Sequence, residues 1–385
     1  MAVGKKPICV DSCPLRALDM APIDELREKY GDLAEIAPLP AAHFTLPNIV
    51  LNLMPTAARS EIPPVIWQTR RRYNMGSGWH EWPLMVFTVL GQCVVGGFIV
   101  LGLALIFGGL SRGQQQRVHR SMFVLWVLMA LAFIASTLHL GSPMRAFNSL
   151  NRIGESALSN EIAAGSLFFA VAGFYWLLAV LDKMPAALGK IWLVVAMVLG
   201  VIFVYAMCRV YSINTVPTWD SIYTPLGFVL TTLIGGPLLG YLLLQLADVN
   251  GRAMLQLPMI SVLALIISVA SVIMQAASLP LIYSSVQQAS ALIPDYGSLM
   301  VWRLVLLVLG LGCWICPLIR GRRPMTLVMV LGTLLVIAGE LIGRGVFYGL
   351  HMTVGMAVGA NLQTAVTLWL FWGAPRIALL CLMAC

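Results

Sequence analysis

Eight stretches of this chain stay apolar, almost without interruption, for about twenty residues each. They fall near 83–109, 121–142, 160–181, 190–211, 225–247, 256–279, 298–319 and 325–350. In hydrocarbon every backbone N–H and C=O must be satisfied within the protein, so only helices or closed barrels cross a membrane. Barrel strands alternate apolar and polar residues, and these runs do not. The expectation is an all-α integral membrane protein, a bundle of eight transmembrane helices. Composition agrees: 59% of residues are hydrophobic and 10% charged, against roughly 25% charged in a soluble domain. The short connections predict antiparallel neighbours, and Gly96-Gly97, Gly235-Gly236 and Gly310-Leu-Gly312 suit close helix approach in lipid.

Charge placement predicts orientation. The loops after spans 1, 3, 5 and 7 carry nine Lys and Arg, and the opposite boundary carries four: Arg145, Arg152, Arg209 and Arg303. The excess places the odd loops in the cytoplasm and the start of span 1 outside, in the periplasm. Arg70-Arg71-Arg72, just before span 1, runs against this bias. The net charge is +8, and no nucleic-acid partner is expected.

Three pieces differ in character. Residues 1–74 carry nine basic and eight acidic residues and no run of spanning length. Asp24-Glu-Leu-Arg-Glu-Lys-Tyr30 predicts a short helix there, and Pro38 to Pro47 an extended stretch. Residues 75–359 hold the spans, and 360–385 form an atypical tail. Cys9-Val-Asp-Ser-Cys13-Pro14 matches the end of a bacterial ferredoxin cluster motif. Two thiolates do not close a four-iron site, so this reads as the remnant of a cluster domain, with no complete iron–sulfur cluster and no metal site in this chain. Cys313-Trp-Ile-Cys316 lies in an apolar span and reads as small core residues.

Polar chemistry concentrates in two places. The first is His139-Leu-Gly-Ser-Pro-Met-Arg145-Ala-Phe-Asn-Ser-Leu-Asn-Arg152, running on to Glu161. His139 ends span 2 before Pro143 breaks the helix; a neutral imidazole there can accept a proton. Arg145 and Arg152 can orient a ligand, meet a partner subunit or hold lipid headgroups. Glu161 opens span 3 with Ser159 or Asn160 as cap. Helix-dipole stabilisation and a proton-relay role both stand open for it. The second place is span 8, where Glu340 and Arg344 are spaced i,i+4 and are expected to face each other. Phe347, Tyr348 and His351 continue that stripe. Charges within a span are costly and are usually functional or paired. Trp79, Trp82, Trp219, Tyr223, Tyr296 and Trp302 read mostly as interfacial aromatic anchors.

The resemblance of the chain becomes specific at these motifs. Cys9 to Asp19 and Ala37 to Val50 resemble the C-terminal end of the iron–sulfur subunit of anaerobic dimethyl sulfoxide reductase. Met75-Gly-Ser-Gly-Trp-His-Glu-Trp-Pro83 is similar to the start of that enzyme's membrane anchor subunit. The similarity to the anchor runs to about Met356 and includes the His139 motif, Val216-Pro-Thr-Trp219, Gly235-Gly-Pro-Leu-Leu-Gly-Tyr241, Pro294-Asp-Tyr-Gly-Ser-Leu-Met300 and Gly339 to His351. Segment 51–74 and the tail depart from both patterns. Joined reading frames, by frameshift or by true fusion, account for such a chimera.

The resemblance implies an anchor that carries out only the quinol half-reaction of an oxidoreductase. It would oxidise menaquinol and pass electrons to an iron–sulfur subunit and a molybdopterin catalytic subunit. Quinol-binding residues would be His139, Arg145, Glu161, Glu340, Arg344 and His351, with His139 and Glu161 handling protons. No haem is expected: of the five histidines, only His139 and His351 could pair within the bundle. A secondary transporter and a purely structural anchor are the competing readings.

Overall fold

The computed structural model describes residues 22–30, 78–138, 143–249, 251–282 and 288–352. The chain divides into two units, Met1–Tyr73 and Asn74–Cys385. Within the first, helix α1 (Ile23–Tyr30) has Asp24 and Glu25 in its first turn and Arg27 and Lys29 in its last. That arrangement complements the helix dipole at both ends. Cys9, Cys13 and the tail lie outside the described residues.

The second unit holds eight helices long and apolar enough to cross a membrane. They are built from α2 (Trp82–Phe107), α3 (Arg112–Ser121) continuing into α4 (Phe123–Leu138), α5 (Ala157–Val180), α6 (Ala186–Tyr211), α7 (Tyr223–Leu246), α8 (Gln256–Ser278), α9 (Tyr296–Ile319) and α10 (Thr326–Gly349). No strand occurs among the described residues. The second span differs from the expected 121–142. It begins at Arg112, because Ser111 and Gln114 form a capping box, each side chain accepting from the other's backbone N–H. Polar Gln114 to Arg120 hid this first helical segment from hydropathy, and they bury Val118 and His119 nonetheless.

Helices α2 and α7 are central, with 67% and 72% of their most apolar windows buried, against 17% for α8. Both are apolar all round, as a helix packed on every side must be. They cross at glycine: a Cβ on Gly96 would lie 2.7 Å from the Gly236 Cα and 2.6 Å from the Thr232 carbonyl oxygen. Helices α9 and α10 meet in the same way at Gly310 and Gly332. Gly312 faces open space. Phe98, Trp126, Phe168 and Phe203 fill the core among α2, α4, α5 and α6. Leu238, Tyr241, Leu307, Trp314 and Val336 fill a second core among α7, α9 and α10.

Candidate functional site

A polar network lies where α2, α7, α8, α9 and α10 converge. The Thr231 hydroxyl donates to Glu340 Oε2 at 2.6 Å. Arg303 Nη2 donates to Glu340 Oε1 at 3.2 Å and to Ser268 Oγ at 3.2 Å. Arg344 Nη2 donates to Gln92 Oε1 at 2.9 Å and to Thr231 Oγ1 at 3.4 Å. The Arg344 guanidinium also sits 3.7 Å over the Phe228 ring, an aromatic face that attracts cations. Glu340, Arg344, Arg303 and Gln92 are all buried.

At 1.5 Å per residue, these side chains share one level. Arg303 lies about 10 Å from the Tyr296 end of its helix, Thr231 about 12 Å from the Tyr223 end, and Glu340 about 14 Å from the Gly349 end. Those ends, alternating along antiparallel helices, belong to the side of the bundle where Glu161 lies. The cavity beside the network has a volume of about 60 Å³, with Thr231, Arg303, Glu340, Arg344, Phe228 and Phe347 in its wall.

One expected pairing is corrected. Glu340 does not take Arg344 as its ionic partner; it pairs with Arg303, from the neighbouring helix. Arg344 points instead to α2 and α7, and Thr231 joins the two halves. The i,i+4 spacing makes two residues neighbours on a surface, but buried guanidinium groups reach across to other helices. Arg303, counted above as a boundary charge, is buried in the bundle. Sequence reasoning also missed Gln92, Thr231 and Ser268. Their signal was available for Arg303 and Gln92: each is a polar side chain well inside an apolar run.

Glu161 is buried, and its Oε1 has no hydrogen-bond partner. It does not open its helix. The helix starts at Ala157, Ser156 makes no side-chain cap bond, and Asn160 accepts instead from the Gly154 N–H at 2.6 Å. Tyr211 ends α6 at the end of the bundle where α5 carries Glu161, and its hydroxyl meets that of Tyr348, on α10, at 2.6 Å. His351 is exposed just beyond α10, its ring 4.6 Å from Trp219. Trp219 is no simple interface anchor. Its Nε1 donates to the Phe347 carbonyl at 2.8 Å, and its ring stacks on Phe347. Trp79, Trp82 and Trp302 are exposed, as anchors are. His139 lies outside the described residues. Arg145 falls within the 3₁₀ helix Pro143–Arg152, and its side chain lies outside them too. Arg152 reaches the Glu155 carboxylate at 3.9 Å in the same segment.

His119, which precedes the expected second span of 121–142, is buried on α3 and shares a 3.1 Å hydrogen bond with the Tyr175 hydroxyl. Among the described residues no group of three or more His, Cys, Asp and Glu could hold a metal ion.

An eight-span helical membrane protein with a polar network sealed in its interior defines the class: a polytopic membrane subunit. The sequence pattern of the family described as DMSO reductase anchor subunit (DmsC) matches residues 75–350, and the chain belongs to that family. It is 66% identical over 287 residues to the C subunit of anaerobic dimethyl sulfoxide reductase from Escherichia coli (strain K12), covering 74% of this protein and all of that one. It is 60% identical over 284 residues to the anaerobic dimethyl sulfoxide reductase subunit YnfH of the same organism, covering 74% of this protein and 99% of that one. The C subunit from Haemophilus influenzae is 41% identical over 285 residues, with 74% of this protein and all of that one covered. The N-terminal segment matches a different protein: 52 residues, 14% of the total, are 76% identical to the B subunit of the Escherichia coli enzyme and span 25% of its length.

Proposed function

We propose that this chain is a menaquinol-oxidising membrane anchor of a dimethyl sulfoxide reductase-type complex. It seats an iron–sulfur subunit and a molybdopterin catalytic subunit on its periplasmic side. Oxidising a quinol releases two electrons and two protons. The electrons leave for a cluster in the iron–sulfur partner, since this chain is expected to hold no metal of its own. The protons need bases with a route to water. His139 and Glu161 take that role on one side of the bundle, with Arg145 orienting the ring. Glu340, Arg344 and His351 form the opposite wall.

The observation that carries this reading is the unpartnered buried carboxylate of Glu161 beside the Tyr211–Tyr348 pair. A buried polar atom left without a partner costs about 1–3 kcal/mol, which a ligand hydroxyl would relieve. The neighbouring cavity of about 60 Å³ has room for a few waters, at about 10–15 Å³ each, and serves proton exit. A ring seated against Arg344 requires that Phe347 or Phe228 swing aside.

The test uses the assembled complex in its membrane, titrated with a quinol analogue. Its turnover is followed with quinol and, separately, with an artificial reductant that feeds the catalytic subunit directly. His139→Arg and Glu161→Gln should lose analogue binding and lower quinol-driven turnover by about 10²-fold or more, while leaving the artificial-donor rate intact. Unchanged binding and quinol turnover in both variants would remove His139 and Glu161 from the site, and a parent complex that neither binds the analogue nor turns over with quinol would establish the purely structural anchor instead.

A further inference from the structure

A groove of about 430 Å³ runs between the start of α8 and the end of α9, at the opposite end of the bundle from Glu161. Its lining residues are all apolar, with Leu255, Val262 and Ile266 on one side and Ile315, Leu318 and Ile319 on the other. Leu255, Ile266 and Ile319 are more than half exposed. From Leu255 to Ile266 the groove is about 16 Å long at 1.5 Å per residue. That is one leaflet of a hydrocarbon core about 30 Å thick. A polymethylene chain can lie along an apolar groove of this length.

The mouth of the slot is strongly basic. Arg320 follows Ile319 directly, and Arg322 and Arg323 come next, with Arg252 on the facing connection. Between Val249 and Glu340 the only acidic residue is Asp295, at the far end of α9. Among the described residues the carboxylate that Arg323 reaches, Asp248, is shared at 4.0 Å by Arg323 and Arg117. Arg320 and Arg322 are exposed, and neither has an acidic partner among the described residues. Basic groups beside a gap between spanning helices attract anionic headgroups.

We propose that this groove is a specific site for an anionic phospholipid, one acyl chain lying between α8 and α9 and the phosphate held by Arg320 and Arg322. The inference does not rest on the quinol reading. Its test is lipid retention by the full chain, extracted in mild detergent, stripped of lipid and offered phosphatidylglycerol or phosphatidylcholine. Native mass spectrometry counts the lipid kept, and thermal unfolding reports its effect. One phosphatidylglycerol per protein should be kept, with a raised melting temperature, and phosphatidylcholine should not substitute. The surface double variant R320Q/R322Q should lose that retention, as should Val262→Trp, which fills the slot and leaves the arginines in place. Equal retention of both lipids, retention unaffected by R320Q/R322Q, or the same stabilisation from inorganic phosphate alone would overturn the proposal. So would a shift from dimer to monomer in either variant, which would seat a second copy of the protein on this face.

Discussion

Arg303 and Glu340 form an ion pair at 3.2 Å with both side chains almost out of reach of solvent, and it lies beside a second guanidinium, Arg344. Removing one member of such a pair leaves a charge uncompensated and costs about 3–5 kcal/mol. Glu340→Gln should therefore lower the melting temperature of the purified protein, and Arg303→Gln should do the same. The double variant should lose less than the sum of the two, because the second substitution removes the charge the first one stranded. Additive losses would show that the pair does not act as a unit. Gly343 guards the same pair: a Cβ there would lie 2.6 Å from Arg303 Nε and 2.8 Å from its Cδ. Gly343→Ala should displace the guanidinium and cost about 1–3 kcal/mol in thermal unfolding; an unaltered melting temperature would contradict the packing. At this scale the sequence disclosed the charges but not their partners. Glu340 and Arg344 stand out because a charge inside an apolar run needs a reason. The identity of the partner depends on which helices are adjacent, and that information is not local.

The same division holds for elements. Length and hydropathy are summed along the chain, so the existence of eight spans could be read directly, with ends off by a few residues. The Arg112–Ser121 segment was lost because its surface is polar while its buried side is only Val118 and His119. Glycine pairs were visible as candidates, and only the crossing geometry separates them. Gly236 meets Gly96 backbone to backbone, whereas Gly312 meets nothing within 4 Å. Helices in lipid associate through close packing at small residues, so the two positions should respond differently. Gly236→Ala should force α2 and α7 apart and cost about 1–3 kcal/mol. Gly312→Ala should stay within about 0.5 kcal/mol of the parent, as surface substitutions do. Thermal unfolding in one detergent compares them, and equal effects would mean that the Gly96–Gly236 crossing is not what holds these helices together.

For the whole molecule the open quantity is direction. The network, Glu161 and the Tyr211–Tyr348 pair all lie toward one end of the bundle, and the basic loops toward the other. An anchor whose electrons leave through a partner subunit must place that partner within reach of its quinol site, so both belong on one side of the membrane. The proposed orientation puts the Glu161 end in the periplasm, the side that the positive-inside bias favours: nine basic residues against three, with buried Arg303 set aside. An epitope inserted after Asn214, in the exposed turn between α6 and α7, tests this against one inserted after Lys183, in the exposed turn between α5 and α6. In intact spheroplasts an antibody should reach only the Asn214 insertion, and after lysis it should reach both. Access to the Lys183 insertion in intact cells would invert the topology. The proposed quinol site would then face the cytoplasm, and the arginine-rich mouth of the α8–α9 groove would face out. The two readings would part there, since the lipid site needs only a leaflet of hydrocarbon while the redox site needs its partner on the same face.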